Sequence, residues 1–195
     1  MKKNSKFLNL RGHLLSLETP VVMGILNLSP DSFFRGSRVS ATEEVLEKAA
    51  AMFNEGAMII DIGAASTRPG ANLITPEEEL ARVRDLLPEL VLSFPGKFFS
   101  IDTYHAETAE YALMQGFHMI NDVSAGRFSP ELPSLAARYK VPYVLMHMQG
   151  EPANMQKQPH YEDVFTEVLH FLVRKSSELR QSGIHDIVLD PGFGF

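Results

Sequence analysis

The sequence predicts an α/β fold with a parallel sheet, and three observations carry that prediction. Six short apolar runs punctuate the 195 residues, nearly continuous in the manner of strands buried on both faces. Helical patterns separate them, and such alternation forces parallel strands joined by right-handed crossovers. Each run also carries a polar residue at or near its end, and in parallel α/β folds sites gather at the carboxyl ends of the strands. A single domain over 1–195 is expected.

The first twenty residues stand apart. Leu8 and Leu10 alternate with polar neighbours, Gly12 can turn the chain, and Leu14, Leu15 and Leu17 return, which predicts a small β-hairpin closing one end of the sheet. The first apolar run, PVVMGILN, ends at Asn27. In the helix that follows, Ser40 and Glu43 have capping-box spacing, Val45, Leu46, Ala49, Met52 and Phe53 share a face, and Gly56 sits at the close. AMIIDIG carries Asp61, and the next helix is marked by Thr75 as N-cap, Pro76 at N1 and Glu78 at N3. KFFSIDT carries Asp102 and leads to a helix with Ala106, Ala109 and Leu113. GFHMIND carries Asn121 and Asp122, and Leu132, Leu135 and Ala136 follow Ser129. VPYVLMHM carries His147; Val164, Val168, Leu172 and Leu179 then form a face closed by Gly183, and DIVLDPG carries Asp190.

Composition bounds the function. Hydrophobic residues at 45% and charged residues at 22% suit a globular chain rather than a disordered one. A net charge of −6 argues against a nucleic-acid partner, which would need a basic face. Without cysteine there is no disulfide, thiolate nucleophile or Cys-ligated zinc. No run of 18 apolar residues suggests a membrane span, and Arg11 and His13 interrupt FLNLRGHLL as a secretory core, so a cytoplasmic protein is expected. Complete (β/α)8 barrels usually need about 250 residues and seldom fewer than about 200, so the chain is short for one.

One Asn or Asp after a strand can simply form a turn or cap a helix. Six polar strand ends converging on one mouth point instead to a site. Three connecting segments add to this. NLSPDSFFRG, from Asn27 to Gly36, places Phe33 and Phe34 where a loop is normally polar. DIGAASTRPGA combines small residues with Ser66, Thr67 and Arg68 before Pro69, a composition suited to an anion. LDPGFGF sets Phe193 and Phe195 among glycines, giving flat apolar walls and close backbone approach. His105 and His147 read as packed or solvent-facing residues.

From about Leu8 to Phe195, through VMGILNLSPDSFF, DIGAASTRPGA, SIDT, INDVSAG, LMHMQGEPANMQ and LDPGFGF, the sequence resembles dihydropteroate synthase of the folate pathway, in a Bacteroidetes-like form. The resemblance implies a pterin-binding TIM (β/α)8-type barrel, here incomplete, with about six βα units and an N-terminal hairpin. It implies condensation of 6-hydroxymethyl-7,8-dihydropterin diphosphate with para-aminobenzoate to give 7,8-dihydropteroate and diphosphate, through departure of diphosphate and attack by the aromatic amine. It places Asp102, Asn121 and Asp190 on the pterin, with Met146 and Phe195 flanking its faces. Carboxylates suit the donor-rich edge of such a ring, and an Asn amide can meet a mixed edge.

The resemblance further assigns Asn27 to Mg²⁺, which seldom takes an all-protein cage. Thr67, Arg68 and Pro69 hold para-aminobenzoate and diphosphate, where sulfonamides compete; Asp31 steadies the pterin cation, and Asp61 supports the loops. Asp31, Arg68 and Asp61 form the expected catalytic set. Two stretches depart from the family: Phe34, Arg35 and Gly36 stand where many relatives read DGG, and Ala64, Ala65 and Ser66 where many read GES. The family continues past GFGF to a lysine and an Arg-x-His pair, so an N-terminal fragment is expected, its own activity in doubt and the family's homodimer tied to the longer chain. A pterin-dependent methyl transfer to a corrinoid, or a non-catalytic pterin-binding remnant, are the competing readings.

Overall fold

The computed structural model describes residues 6–28, 38–65, 73–150 and 160–193. Two antiparallel strands, β1 (Phe7–Leu10) and β2 (His13–Ser16), form the expected hairpin around Arg11 and Gly12, both at positive φ. That is the two-residue turn whose twist matches its strands. Six parallel strands follow in strict chain order: β3 (Met23–Asn27), β4 (Ile59–Gly63), β5 (Phe98–Asp102), β6 (Met119–Asp122), β7 (Tyr143–Met146) and β8 (Ile187–Asp190). Consecutive neighbours with helical crossovers make this the arc of a (β/α)8-type barrel, with β3 and β8 as its edges among the described strands.

The helices are α1 (Arg38–Asn54), α2 (Pro76–Val83), α3 (Leu86–Ser93), α4 (Ala106–Gln115), α5 (Glu131–Tyr139) and α6 (Val164–Gln181). Val45, Ala49 and Phe53 of α1 are buried as their spacing predicts. The helix nonetheless begins at Arg38, so Ser40 lies inside it and is not the cap its spacing suggested. Thr75 caps α2 as expected: its hydroxyl accepts from the Glu78 amide at 3.2 Å and Glu78 reaches back to the Thr75 amide at 3.1 Å. The helical stretch it opens breaks at Arg84 and Asp85, because Pro88 has no N–H and its ring would collide with the Arg84 carbonyl in a continuous helix. At α6 the cap is Asp163, which accepts from the amides of Phe165 and Thr166. Among the described residues no helix is long and apolar enough to cross a membrane.

Side-chain alternation along the strands divides the core in two. Leu26, Ile60, Ile62, Phe99, Ile101, Ile120 and Leu145 point outward and pack against the helices. Ile59, Met119 and Val144 point inward at the amino end of the sheet and meet Leu8, Leu10 and Leu15 of the hairpin, with Phe98 and Val188 beside them. The hairpin therefore plugs the bottom of the arc. Arg11 locks it by donating to the carbonyls of Leu113 and Phe117 at 2.7 and 3.1 Å, at the C-terminus of α4 where a cation is favoured. The Asn9 amide donates to Asp186 before β8. An apolar cavity of about 350 Å³ remains between the hairpin and β7–β8, with Asp190 on its wall.

Candidate functional site

Strand register brings the polar ends together. Asn27 pairs with Gly63, Gly63 with Asp102, and Asp102 with Asn121, in one row across β3 to β6 at the carboxyl end of the sheet. Gly63 leaves its place in that row open to its neighbours' side chains. A Cβ there would meet Asn27 Oδ1 at 2.8 Å and Asp102 Oδ2 at 3.3 Å, so the missing side chain is what lets both groups lie over β4. One row lower, Asp61 pairs with Ser100 on β5, and its Oδ2 accepts from Asn121 Nδ2 at 2.8 Å across the intervening strand.

The floor of the mouth is thus made of buried carboxyls, and they are under strain. Asp61 and Asp102 are buried, and one oxygen of each, Oδ1 in both, has no hydrogen-bond partner among the described residues. Leaving such an atom unpaired costs about 1–3 kcal/mol, a cost that a donor-bearing ligand removes. Burial pushes the Asp102 carboxyl well above the usual carboxylate range, and the nearby Asp61, Glu79 and Asp122 push it further. Burial also raises Asp61, opposed by the Ser100 hydroxyl and the Asn121 amide. Both carboxyls thus keep acceptor capacity that the described residues do not use.

Behind Asp102 lies Glu79 of α2, fully buried, accepting from the Thr103 hydroxyl at 2.5 Å. Its charged neighbours in sequence, Glu77 and Glu78, hide it in what reads as a solvated acidic turn. The same region pins both flanks of the 66–72 segment. Arg82 donates to the Ala64 carbonyl at 2.8 Å, the Ile74 amide donates to the Tyr104 hydroxyl, and the His105 Nε2–H donates to the Ile74 carbonyl at 2.9 Å. His105 thereby acquires a role in holding backbone, where the sequence offered only packing or exposure.

Asp122, next to Asn121, is buried with all its work internal. Its carboxylate accepts from the amides of Ser124 and Gly126, each at 2.7 Å, and from the Tyr143 hydroxyl at 2.6 Å. It fixes the β6–α5 turn, where Ala125 and Gly126 take positive φ. Beside that turn Met146 packs with Val123 and Met148 into a separate small cluster at the top of the sheet. The resemblance singled out Met146 alone, although the Met146–Met148 spacing of two was visible.

Asp190 pairs in register with Met146, and its Oδ1 accepts from the Gly192 amide at 2.8 Å. Gly192 has φ +75°, and a Cβ there would run into the His147 carbonyl oxygen, which confirms the close backbone approach expected of this segment. His147 faces the other way: its ring packs on Tyr161 and Phe171 of the α6 side, and burial lowers its pKa. It takes no place in the mouth.

The structure therefore brings together Asn27, Asp61, Asp102 and Asn121, with Met146 and Asp190 on the next strands. Asp31, Thr67, Arg68, Pro69 and Phe195 lie outside the described residues. Asn121 donates one Nδ2 hydrogen to Asp61, which leaves its second N–H and its Oδ1 to meet a mixed edge. Asn27 is exposed at the end of β3, and a single amide oxygen suits a Mg²⁺ completed by phosphate oxygens and water; no cluster of three acidic or His side chains forms a cage among the described residues.

Comparison with known proteins places this mouth. The sequence profile described as pterin binding enzyme matches residues 23–195. The folate synthesis bifunctional protein, mitochondrial, of Pisum sativum is 44% identical over 182 residues, 90% of this chain and 35% of that protein. The dihydropteroate synthase of Escherichia coli (strain K12) is 41% identical over 187 residues, 95% of this chain and 66% of that protein. A solved dihydropteroate synthase of Xanthomonas albilineans with 4-aminobenzoic acid superposes with a TM-score of 0.86 at 39% identity, covering 98% of this chain and 68% of that one. The chain spans between about a third and two thirds of the length of the curated relatives compared.

Proposed function

The chain belongs to the pterin-binding enzyme family, and on that premise we propose that it carries the pterin-handling part of a dihydropteroate synthase. The reaction joins 6-hydroxymethyl-7,8-dihydropterin diphosphate to para-aminobenzoate. A C–N bond forms between the exocyclic methylene and the aromatic amine, the C–O bond to diphosphate breaks, and the amine loses a proton. The observation that carries this reading is the unpaired, buried Oδ1 of Asp102 beside the half-buried Asn121 amide, a pair suited to a ligand edge that bears N–H donors. The relatives compared favour this condensation over methyl transfer.

In this reading Asp102, Asn121 and Asp190 orient the pterin, and Met146, with Val123 and Met148, forms an apolar wall against it. Asn27 would hold Mg²⁺, which when bound would neutralise charge on the diphosphate. Arg68 adds charge stabilisation from the STRPG segment, Thr67 and Pro69 place the aminobenzoate, Phe195 covers the ring, and Asp31 steadies the cationic pterin. The clamp of Arg82, Tyr104 and His105 sets the flanks from which that segment springs. Cytoplasmic residence and a homodimer of the longer chain belong to the same proposal.

Product formation from the two substrates with Mg²⁺, followed by chromatography of dihydropteroate, tests the reaction. Turnover supports the full reading; binding of both ligands without product would reduce the function to binding. Asn27→Ala tests the metal assignment by calorimetry: diphosphate binding should weaken in the presence of Mg²⁺ and stay unchanged in its absence.

A further inference from the structure

A closed circuit of hydrogen bonds ties α2 to the turn that follows Asp102. Thr103 leaves β5 with its amide donating to the Asn121 carbonyl at 3.1 Å. Its hydroxyl accepts from the His105 amide at 3.0 Å and donates to Glu79 Oε2 at 2.5 Å. The His105 Nε2–H reaches the Ile74 carbonyl at 2.9 Å, and Ile74 and Thr75 lead into α2, where the Glu79 amide donates to the Thr75 carbonyl at 3.0 Å. Glu79 and Thr103 are fully buried in this ring.

A buried carboxyl is costly to hold, and an apolar side chain would avoid that cost. Burial pushes the Glu79 carboxyl up, opposed by the Thr103 hydroxyl, by Thr108 of α4 and by the charges nearby, Arg82 among them. Thr108 lies close without bonding: neither its Oγ1 nor Glu79 Oε1 has a hydrogen-bond partner among the described residues. What an apolar side chain could not do is take the one proton of the Thr103 hydroxyl. The other acceptor at hand is the His105 carbonyl at 3.5 Å, too long for a good bond, so the turn would have to move to satisfy it.

We propose that Glu79 is a positioning residue for Asp102: through the Thr103 hydroxyl it fixes the turn that carries the Asp102 carboxyl into the mouth. Glu79 itself touches no ligand. The proposal rests on the pterin reading for what Asp102 binds, and on the hydrogen-bond circuit for how Asp102 is held. Glu79→Gln keeps an oxygen for Thr103 and brings an N–H for Thr108. Glu79→Leu fills the space and offers no acceptor.

The test titrates pterin calorimetrically into the unsubstituted chain and both variants, with thermal unfolding of each. Glu79→Gln should bind within about twofold of the unsubstituted chain, and Glu79→Leu about tenfold or more weakly with its thermal midpoint retained or raised. Full affinity in Glu79→Leu would overturn the proposal, and so would an equal loss in both variants. Thr103→Val removes the hydroxyl and keeps its shape, so it should weaken binding as Glu79→Leu does, while Thr103→Ser should restore it. Thr103→Val binding at full strength would overturn the proposal even where Glu79→Leu fails to fold. Amide hydrogen exchange needs no ligand: the Thr103 and His105 amides should keep their protection in Glu79→Gln and exchange about tenfold or more faster in Glu79→Leu, with the Val141 amide, bonded to the Ala136 carbonyl, unchanged in both. Unchanged protection in Glu79→Leu would overturn the positioning role whatever the ligand. The expected exchange pattern in a chain that binds no pterin would overturn the pterin reading while supporting the positioning role.

Discussion

The two ends of the parallel strands are built on opposite terms. At the amino end Leu8, Leu10 and Leu15 close on Ile59, Met119 and Val144, and Arg11 finds two carbonyls. At the carboxyl end the same strands deliver Asp61, Asp102 and Asn121, with buried oxygens left unpaired. One end closes on itself, and the other keeps acceptor atoms that the described residues do not use, as the proposed ligand site requires. The strands alone do not decide this: the inward positions of β4 run Ile59, Asp61, Gly63, so polarity grows along a single strand from plug to mouth.

Substitutions at the two ends should therefore part company. Leu10→Ala, in the fully buried plug, should lower unfolding stability by about 2–5 kcal/mol in denaturant titration while leaving pterin affinity unchanged. A change in that affinity would mean the ends are coupled. Tyr143→Phe removes the donor to the Asp122 carboxylate and should cost about 1.5–3 kcal/mol, with weaker pterin binding because the turn beside Asn121 loosens.

Titration should separate the ends as well, with opposite sign. Burial, with Arg11 and His13 nearby, lowers the His118 pKa from 6.5 to about 4, and its Nδ1 must stay unprotonated to accept from the Phe99 amide. A base depressed on folding contributes stability that is full above pH 6.5 and is lost as the pH falls toward 4. Asp102 is raised on folding, so its contribution is present in acid and is lost as the pH rises through its folded value. Against His118→Asn, the unsubstituted chain should lose relative stability between pH 6.5 and 4; against Asp102→Asn, it should lose relative stability as the pH rises. Unfolding curves across pH check both. The smallest effect is expected outside both ends: Thr75→Ala should cost about 1 kcal/mol by loss of the α2 cap, with ligand affinity unaffected.

Legibility in the sequence followed the same division. The strands announce themselves because burial on both faces writes an apolar run, and the Thr75 cap and the hairpin are local signals that need no tertiary context. Asp102 and Asn121 are visible as polar residues closing such runs. Asp61 was visible too, but its contact was not, because the Asn121 amide that donates to it lies 60 residues away and only strand register brings the two together. Glu79 was hidden for another reason: in PEEEL every acidic residue looks solvated, and only the packing of α2 behind β5 selects one of them for burial. The split between α2 and α3 was written in Pro88, where the helical pattern masked it. Ser40 shows the converse, a cap signal inside a helix that begins two residues earlier.

The claim that the carboxyl end withholds hydrogen bonds for a ligand is tested most directly by titrating pterin calorimetrically into the chain and into Asp102→Asn, with unfolding stability measured on both. The account predicts that Asp102→Asn is at least as stable as the unsubstituted chain at neutral pH and binds pterin about tenfold or more weakly. A variant that binds pterin as tightly as the original, or that loses stability and affinity together, would contradict it.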